Sequence, residues 1–290
     1  MVPLALGDWQ AEVLPYIGGG LARLTWAGHD VLRPAPPGIE SALDLACFPL
    51  VPYSNRISGG WGGLASNVVG TRYPLHGVGW LEPWDVVERG EASIGLRLVY
   101  DGEGWPWPFA AELRYTLAED RLVMDLSVTH SRRDGEGNGI QMPTGLGFHP
   151  YFPRAHAEAR LDFEGYWETD ADCLPTKWTA LPAQPDWLGD TLIDTVFTGR
   201  RGTMAVSYPW GTVALQPSDT LPFTVIYTPP SEEYFCIEPV SHSTDAINRA
   251  PHEMEMLKPG ETMSARLEIA VRGNVSRKHS RIPEPVEGLP

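Results

Sequence analysis

The stretch RLVMDLSVT, residues 121–129, alternates apolar and polar side chains at every position but Val123. Leu122, Met124, Leu126 and Val128 share one side, while Arg121, Asp125, Ser127 and Thr129 share the other. A period of two belongs to a strand with one buried and one wet face. The same alternation recurs in IGLRLVY (94–100), where Ile94, Leu96, Leu98 and Tyr100 align, and in ELRYTL, FTVIY, YFCIE and ARLEIAV. Thirty glycines and 28 prolines punctuate these runs at short intervals, as turns between strands require. SALDLAC (41–47) and AHAEA (155–159) allow a turn or two of helix, and no longer helical pattern exists. Strand–helix–strand repeats are missing as well. The expectation is an all-β protein of antiparallel sheets, either sandwich or barrel-like, with little helix.

With 290 residues the chain can bury a large core. It contains no internal repeat and no linker good enough to divide it, so residues 1–272 read as one domain. The last stretch, GNVSRKHSRIPEPVEGLP (273–290), loses the alternation and turns polar and proline-rich, which predicts a loose tail. No run of 18 apolar residues exists, so no membrane span is expected. The start lacks a basic segment and carries Asp8 and Glu12, against a secretory signal. Three widely spaced cysteines, Cys47, Cys173 and Cys236, fit a reducing cytoplasm better than a disulfide framework. The expected assembly is a monomer or a homodimer.

The formal charge of -15 disfavours nucleic acid and anionic membranes as partners, and favours a neutral small molecule. Eleven tryptophans tilt the expected ligand modestly toward a sugar, since indoles stack on sugar C–H faces. In GWPWPF, Trp105 and Trp107 project to the same side of an extended segment, although core packing explains any single Trp equally well.

Four short segments set functional side chains among rigid neighbours: PYSNRI (52–57), PLHGVGW (74–80), GFHPYF (147–152) and FCIEPVSHSTDAIN (235–248). In the last, Phe235 and Ile237 face one way while Tyr234, Cys236 and Glu238 face the other. Pro239 biases Glu238 toward extended backbone, and Pro150 does the same for His149, with Tyr151 on the face of His149. Stiff backbone under an acid and an imidazole suits a catalytic pair. Taken singly, His149 fits a satisfied core histidine, Glu238 a solvated strand-end carboxylate, and His76 a turn hydrogen bond. Two histidines and a carboxylate also form a known metal set, but no HxH or HExxH spacing supports one, and the expectation is no metal. GxSxG, GxxxxGK[ST] and a helix-opening GxGxxG are absent, so neither a serine hydrolase nor a nucleotide cofactor is indicated.

In order along the chain, the NR of PYSNRI, LHG, GFHPYF, the D-x-x-F of LIDTVF, and FCIEP followed by DAIN resemble aldose 1-epimerases (galactose mutarotases) over roughly residues 5 to 272. The resemblance implies a β-supersandwich, no cofactor, and a cleft in which a free monosaccharide is inverted at its anomeric centre through ring opening. It implies Glu238 as general base at the C1 hydroxyl and His149 as general acid at the ring oxygen. It places His76 beside both atoms and makes Asn55, Arg56 and Asp194 hydroxyl contacts. Tyr151, Trp80 and Asn67 complete the expected substrate contacts. The chemistry agrees, because a hemiacetal opens when one proton leaves O1 while another reaches the ring oxygen.

Three departures shape the expected specificity. GGWGGLASN (59–67) is shorter than the hairpin relatives carry before LHG. Val225 stands where galactose mutarotases tend to have a sugar-binding Gln, which forfeits a hydroxyl contact. Trp80 stands where hexose-6-phosphate epimerases carry an Arg, which argues against a phosphosugar. A non-catalytic sugar-binding protein on the same fold is the main alternative, and a hexose-6-phosphate 1-epimerase is a lesser one. A glycosidase or lyase fits less well, because glycosidases generally pair two carboxylates.

Overall fold

In the computed structural model, residues 1–59, 66–68, 71–102, 104–131, 141–182 and 185–274 are described. Two eight-stranded, largely antiparallel sheets carry the fold, joined by a four-stranded sheet formed by Val2–Leu6, Trp9–Leu14, Gly20–Trp26 and His29–Asp30. The expectation of an all-β supersandwich holds. Among the described residues, α-helix is confined to Ala246–Arg249. SALDLAC supplies a single 3-10 turn, Ala42–Asp44, whereas AHAEA yields only the start of the edge strand Glu158–Arg160. Among the described residues, no helix is long and apolar enough to cross a membrane.

RLVMDLSVT lies within the strand Arg121–His130, whose side chains are buried at every second position. Leu126 stands opposite Leu113 on one neighbouring strand and Ala265 on the other, so the apolar faces of three strands coincide. From the second large sheet, Phe197, Ile226, Phe235 and Ile237 meet this layer in one core. The second sheet runs in the order Pro175–Ala180, Gly165–Thr169, Ile193–Thr198, Phe223–Thr228, Tyr234–Val240, Gly147–Phe148, Pro49–Leu50. Tyr151–Pro153 also pairs with Tyr234–Val240.

Strand alternation then decides where the chemistry goes. With Phe235 and Ile237 turned into the inter-sheet core, Cys236 and Glu238 emerge on the opposite face. A second apolar cluster forms there, including Phe48, Trp80, Tyr151, Val196, Val225 and Cys236. Trp105 and Trp107 pack on each other at 5.3 Å between centroids, and Trp105 is fully buried in the main core.

The last strand, Thr262–Gly273, runs one residue beyond the boundary expected at 272, and the Asn274 amide donates to the Pro209 carbonyl. The rest of the expected tail, 275–290, lies outside the described residues.

Leu126→Ala removes a buried side chain from the junction of three strands, and the expected loss is about 2–5 kcal/mol of unfolding free energy. Denaturant titration checks this. Ser127→Ala, on the opposite face of the same strand, should stay within about 0.5 kcal/mol of the parent.

Candidate active site

His149 sits between the short strands Gly147–Phe148 and Tyr151–Pro153. Its backbone N–H donates to the Phe48 carbonyl at 3.0 Å, and that of Tyr151 donates to Ala46 at 2.9 Å. The imidazole thereby stacks against both Phe48 and Tyr151, each at 4.6 Å between centroids, and those two rings stand 6.3 Å from each other. Two aromatic neighbours in contact with the imidazole restrict its motion and its access to water.

Glu238 reaches the same place from the strand Tyr234–Val240, where its neighbour across the ladder is Val225. Its Oε1 lies 3.3 Å from His149 Nε2. The remaining polar atoms of the pair, Glu238 Oε2 and His149 Nδ1, are buried without a protein partner. Two unsatisfied atoms side by side in a dry site are costly unless a ligand completes them.

His76 closes the third side, edge-on to His149 at 5.1 Å. Both His76 and Asn55 adopt left-handed backbone conformations, with φ of 60° and 56°. Each supports the other: the His76 N–H donates to the Asn55 carbonyl at 2.9 Å, and the Asn55 N–H donates to His76 Nδ1 at 3.1 Å. Non-glycine residues rarely take this conformation unless their surroundings impose it, and such residues cluster at functional sites. Because Nδ1 accepts an N–H, the neutral ring carries its proton on Nε2 and is a donor there.

That polarity bears on metal binding. Ligand atoms of His76, His149 and Glu238 lie within 4.8 Å of one another, close enough to suggest a metal set. A metal-bound histidine normally donates its other ring N–H to an acceptor. Here the Nδ1 lone pair is already taken by the Asn55 N–H, and freeing the Nε2 lone pair would place one N–H against another. The donor set therefore suits a hydroxyl-bearing ligand better than a cation.

Arg56 donates to Asn55 Oδ1 at 3.1 Å and to Asp194 Oδ2 at 3.2 Å. Asn55, Arg56, His76, His149, Tyr151, Asp194 and Glu238 together line a cavity of about 230 Å³, completed by Leu43, Leu75, Val225, Tyr227 and Tyr234. This is smaller than the roughly 300 Å³ at which drug-sized sites begin, and in keeping with one small ring. A larger hollow of about 470 Å³ lies on the outer face of the other sheet. Its arginines, Arg114 and Arg266, are matched by Glu88 and Asp125, and it contains no imidazole.

Burial sets the protonation of the pair. Desolvation, assisted by the nearby Asp194 carboxylate and opposed by Arg56, holds the Glu238 carboxyl well above the usual carboxylate range. Desolvation also pushes the His149 imidazole down to about 3, and Arg33 adds in the same direction. His76 is lowered too, by burial first and then by His149 and Arg56. Burial thus favours the uncharged form of each partner, a protonated carboxyl beside a neutral imidazole.

The sequence-predicted residues divide cleanly. Seven of the nine line the cavity, while Asn67 and Trp80 stand behind it. Asn67 is spent on the backbone, donating to the Leu75 and Gly77 carbonyls and accepting from the Leu75 N–H. The Trp80 indole donates to the same two carbonyls. Both hold the loop that presents His76 instead of facing its contents. Residues 60–65 of the shortened segment lie outside the described residues. No tryptophan is among the described lining residues; the aromatic walls are tyrosines. Sequence reasoning missed Leu43, Leu75, Tyr227 and Tyr234 as lining. The alternation of YFCIE already puts Tyr234 on the Glu238 face, and that of FTVIY, with Tyr227 two residues from Val225, could have added Tyr227.

The aldose 1-epimerase family profile matches residues 9–270. The Escherichia coli K12 protein YphB, described as uncharacterized, is 29% identical over 279 residues, covering 87% of this chain and 93% of its own. A crystal structure from the same organism, provisionally assigned as an aldose 1-epimerase, superposes with a TM-score of 0.84 at 27% identity, covering 94% of this chain and 98% of its own. A galactose mutarotase-like protein from Clostridium acetobutylicum shares the fold, with a TM-score of 0.79 at 18% identity over 94% of this chain and 95% of its own. The chain belongs to the aldose 1-epimerase family.

Proposed function

We propose that the protein is a mutarotase, interconverting the α and β anomers of a free, unphosphorylated aldose. The observation that carries this reading is the Glu238–His149 contact at 3.3 Å inside a one-ring cavity. An acid and a base in direct contact are what hemiacetal opening needs.

The reaction begins from the ion-pair form, reached when the shared proton moves from Glu238 to His149. Glu238 takes the proton from the O1 hydroxyl as His149 delivers its own to the ring oxygen. The bond from C1 to the ring oxygen breaks and C1=O1 forms. This leaves a protonated carboxyl and a neutral imidazole, the pairing that burial favours. Rotation about C1–C2 turns the other face of the aldehyde toward the former ring oxygen. On closure His149 recovers the ring-oxygen proton and Glu238 returns one to O1. His76, a donor at Nε2, steadies whichever oxygen bears charge. Asn55, Arg56 and Asp194 bind hydroxyls, and the tyrosine walls cover C–H faces.

A phosphosugar fits poorly. Arg56 is the one cation among the described lining residues, and Asp194 and Asn55 already occupy it. A purely sugar-binding role leaves the cost of burying an acid beside a base unexplained.

Polarimetry on freshly dissolved α-aldoses, across glucose, galactose, arabinose, fucose and rhamnose, should show accelerated mutarotation for at least one sugar. His149→Gln and Glu238→Gln should each lower kcat/KM about 100- to 10,000-fold without loss of fold. Full activity in either variant contradicts the assigned roles. Sugar binding by calorimetry with no rate enhancement for any sugar would establish the binding-only alternative.

The pH profile follows from the single shared proton. The upper limb is its loss: kcat/KM should fall as pH rises through the raised Glu238 value. The lower limb is uptake of a second proton by His149, held near 3, so activity should persist as pH falls below 6.5. Asp194→Asn removes one cause of the raised carboxyl and should move the upper limb to lower pH. A lower limb centred on 6.5 contradicts this assignment.

A further inference from the structure

Arg33 lies outside the cavity, in the segment following the strand His29–Asp30, and the proposed mechanism gives it no part. Its surroundings are nevertheless built around His149. The guanidinium carbon stands 4.1 Å above the Tyr151 ring and 4.5 Å from that of Tyr234. Tyr151 in turn stacks on His149, which also stacks on Phe48, so Arg33 reaches the imidazole through one intervening ring. The stack is anchored at its charged end. Arg33 Nη2 donates to the Leu43 carbonyl at 3.1 Å and to the Leu45 carbonyl at 2.9 Å, and the Arg33 backbone N–H donates to the Tyr151 carbonyl at 2.8 Å. Its Nε is buried without a hydrogen-bond partner, leaving ring faces as its company.

We infer that Arg33 is a positioning residue: it clamps Tyr151 against His149 and keeps a fixed positive charge over the Tyr151 ring. This inference rests on the mutarotase reading only for its kinetic consequences. The two backbone carbonyls and two tyrosine faces require a planar fork, which a lysine ammonium cannot reproduce. Leu43 and Tyr151 both line the cavity, so one guanidinium sets the position of two walls.

The charge has a direction as well as a place. Facing the His149 ring are Glu238 from the strand Tyr234–Val240, His76 from its loop, and Tyr151 from its own segment, while Cys47, from the segment before Pro49–Leu50, meets the His149 backbone. Beyond Tyr151 stand Arg33, Tyr234 and Cys236. Only Glu238 is placed to stabilise an imidazolium by direct contact, and Arg33 opposes it. Burial does most to keep the resting imidazole neutral, and the clamp adds in the same direction.

Titration of the His149 ring by NMR in histidine-labelled protein, assigned with His149→Gln, tests this without reference to turnover. In Arg33→Met the ring should protonate at clearly higher pH than in the parent. In Arg33→Lys the charge remains and the titration should stay near that of the parent. Where mutarotation is measurable, both variants should lose kcat severalfold with less change in KM, because the stack loses its anchor. An unchanged His149 titration in a folded Arg33→Met protein overturns the inference, and so does an equal upward shift in Arg33→Lys. If the parent catalyses no mutarotation, the functional reading fails, while the titration still decides the role of Arg33.

Discussion

Keeping water away from one carboxyl and one imidazole is the constraint around which this molecule is arranged. Left in solvent, Glu238 and His149 would each carry charge near neutrality and gain little from each other. Enclosed by Phe48, Tyr151 and Val225, they are pushed toward their uncharged forms and leave one atom apiece without a protein partner. On the proposed mechanism, a hydroxyl-rich ring completes those atoms. Placing a protonated carboxyl beside a neutral imidazole is also the arrangement that must face an open aldehyde. On the proposed mechanism, therefore, the empty site is already matched to the middle of the reaction.

The fold supplies this enclosure through strand register. Turning Phe235 and Ile237 into the inter-sheet core obliges Cys236 and Glu238 to emerge opposite, and a slip of one residue would bury the carboxyl among core side chains. The paired left-handed conformations of His76 and Asn55 do the same for the loop, since their mutual hydrogen bonds fix the tautomer on the cavity side. Asn67 and Trp80 then hold that loop through its carbonyls. Val225, directly across the ladder from Glu238, presents an aliphatic surface beside the carboxyl. On the proposed function, a sugar with a C–H face there suits it better than one needing a hydroxyl contact.

Much of this was legible in the sequence, for definite reasons. Alternation in RLVMDLSVT and YFCIE is a local property, so strand type, buried face and the emergence of Glu238 could be read without coordinates. The proline after His149 and the proline after Glu238 likewise marked stiff backbone. What could not be read depends on distant pairings. Trp80 and Asn67 were expected to face the ligand because their neighbours did, yet they bind carbonyls at 75 and 77. Arg33 gave no signal, because its meaning comes from Tyr151 and Tyr234, far along the chain. The contact between residues 149 and 238 itself came only from resemblance, since no spacing rule joins two segments so far apart.

The most direct test is where the shared proton resides in the empty protein. Infrared difference spectra between the parent and Glu238→Gln at neutral pH should show a protonated-carboxyl stretch belonging to residue 238. That band should weaken when a substrate sugar enters and draws the pair toward its charged form. A spectrum in which residue 238 contributes only carboxylate bands, in the empty protein at neutral pH, would contradict the account.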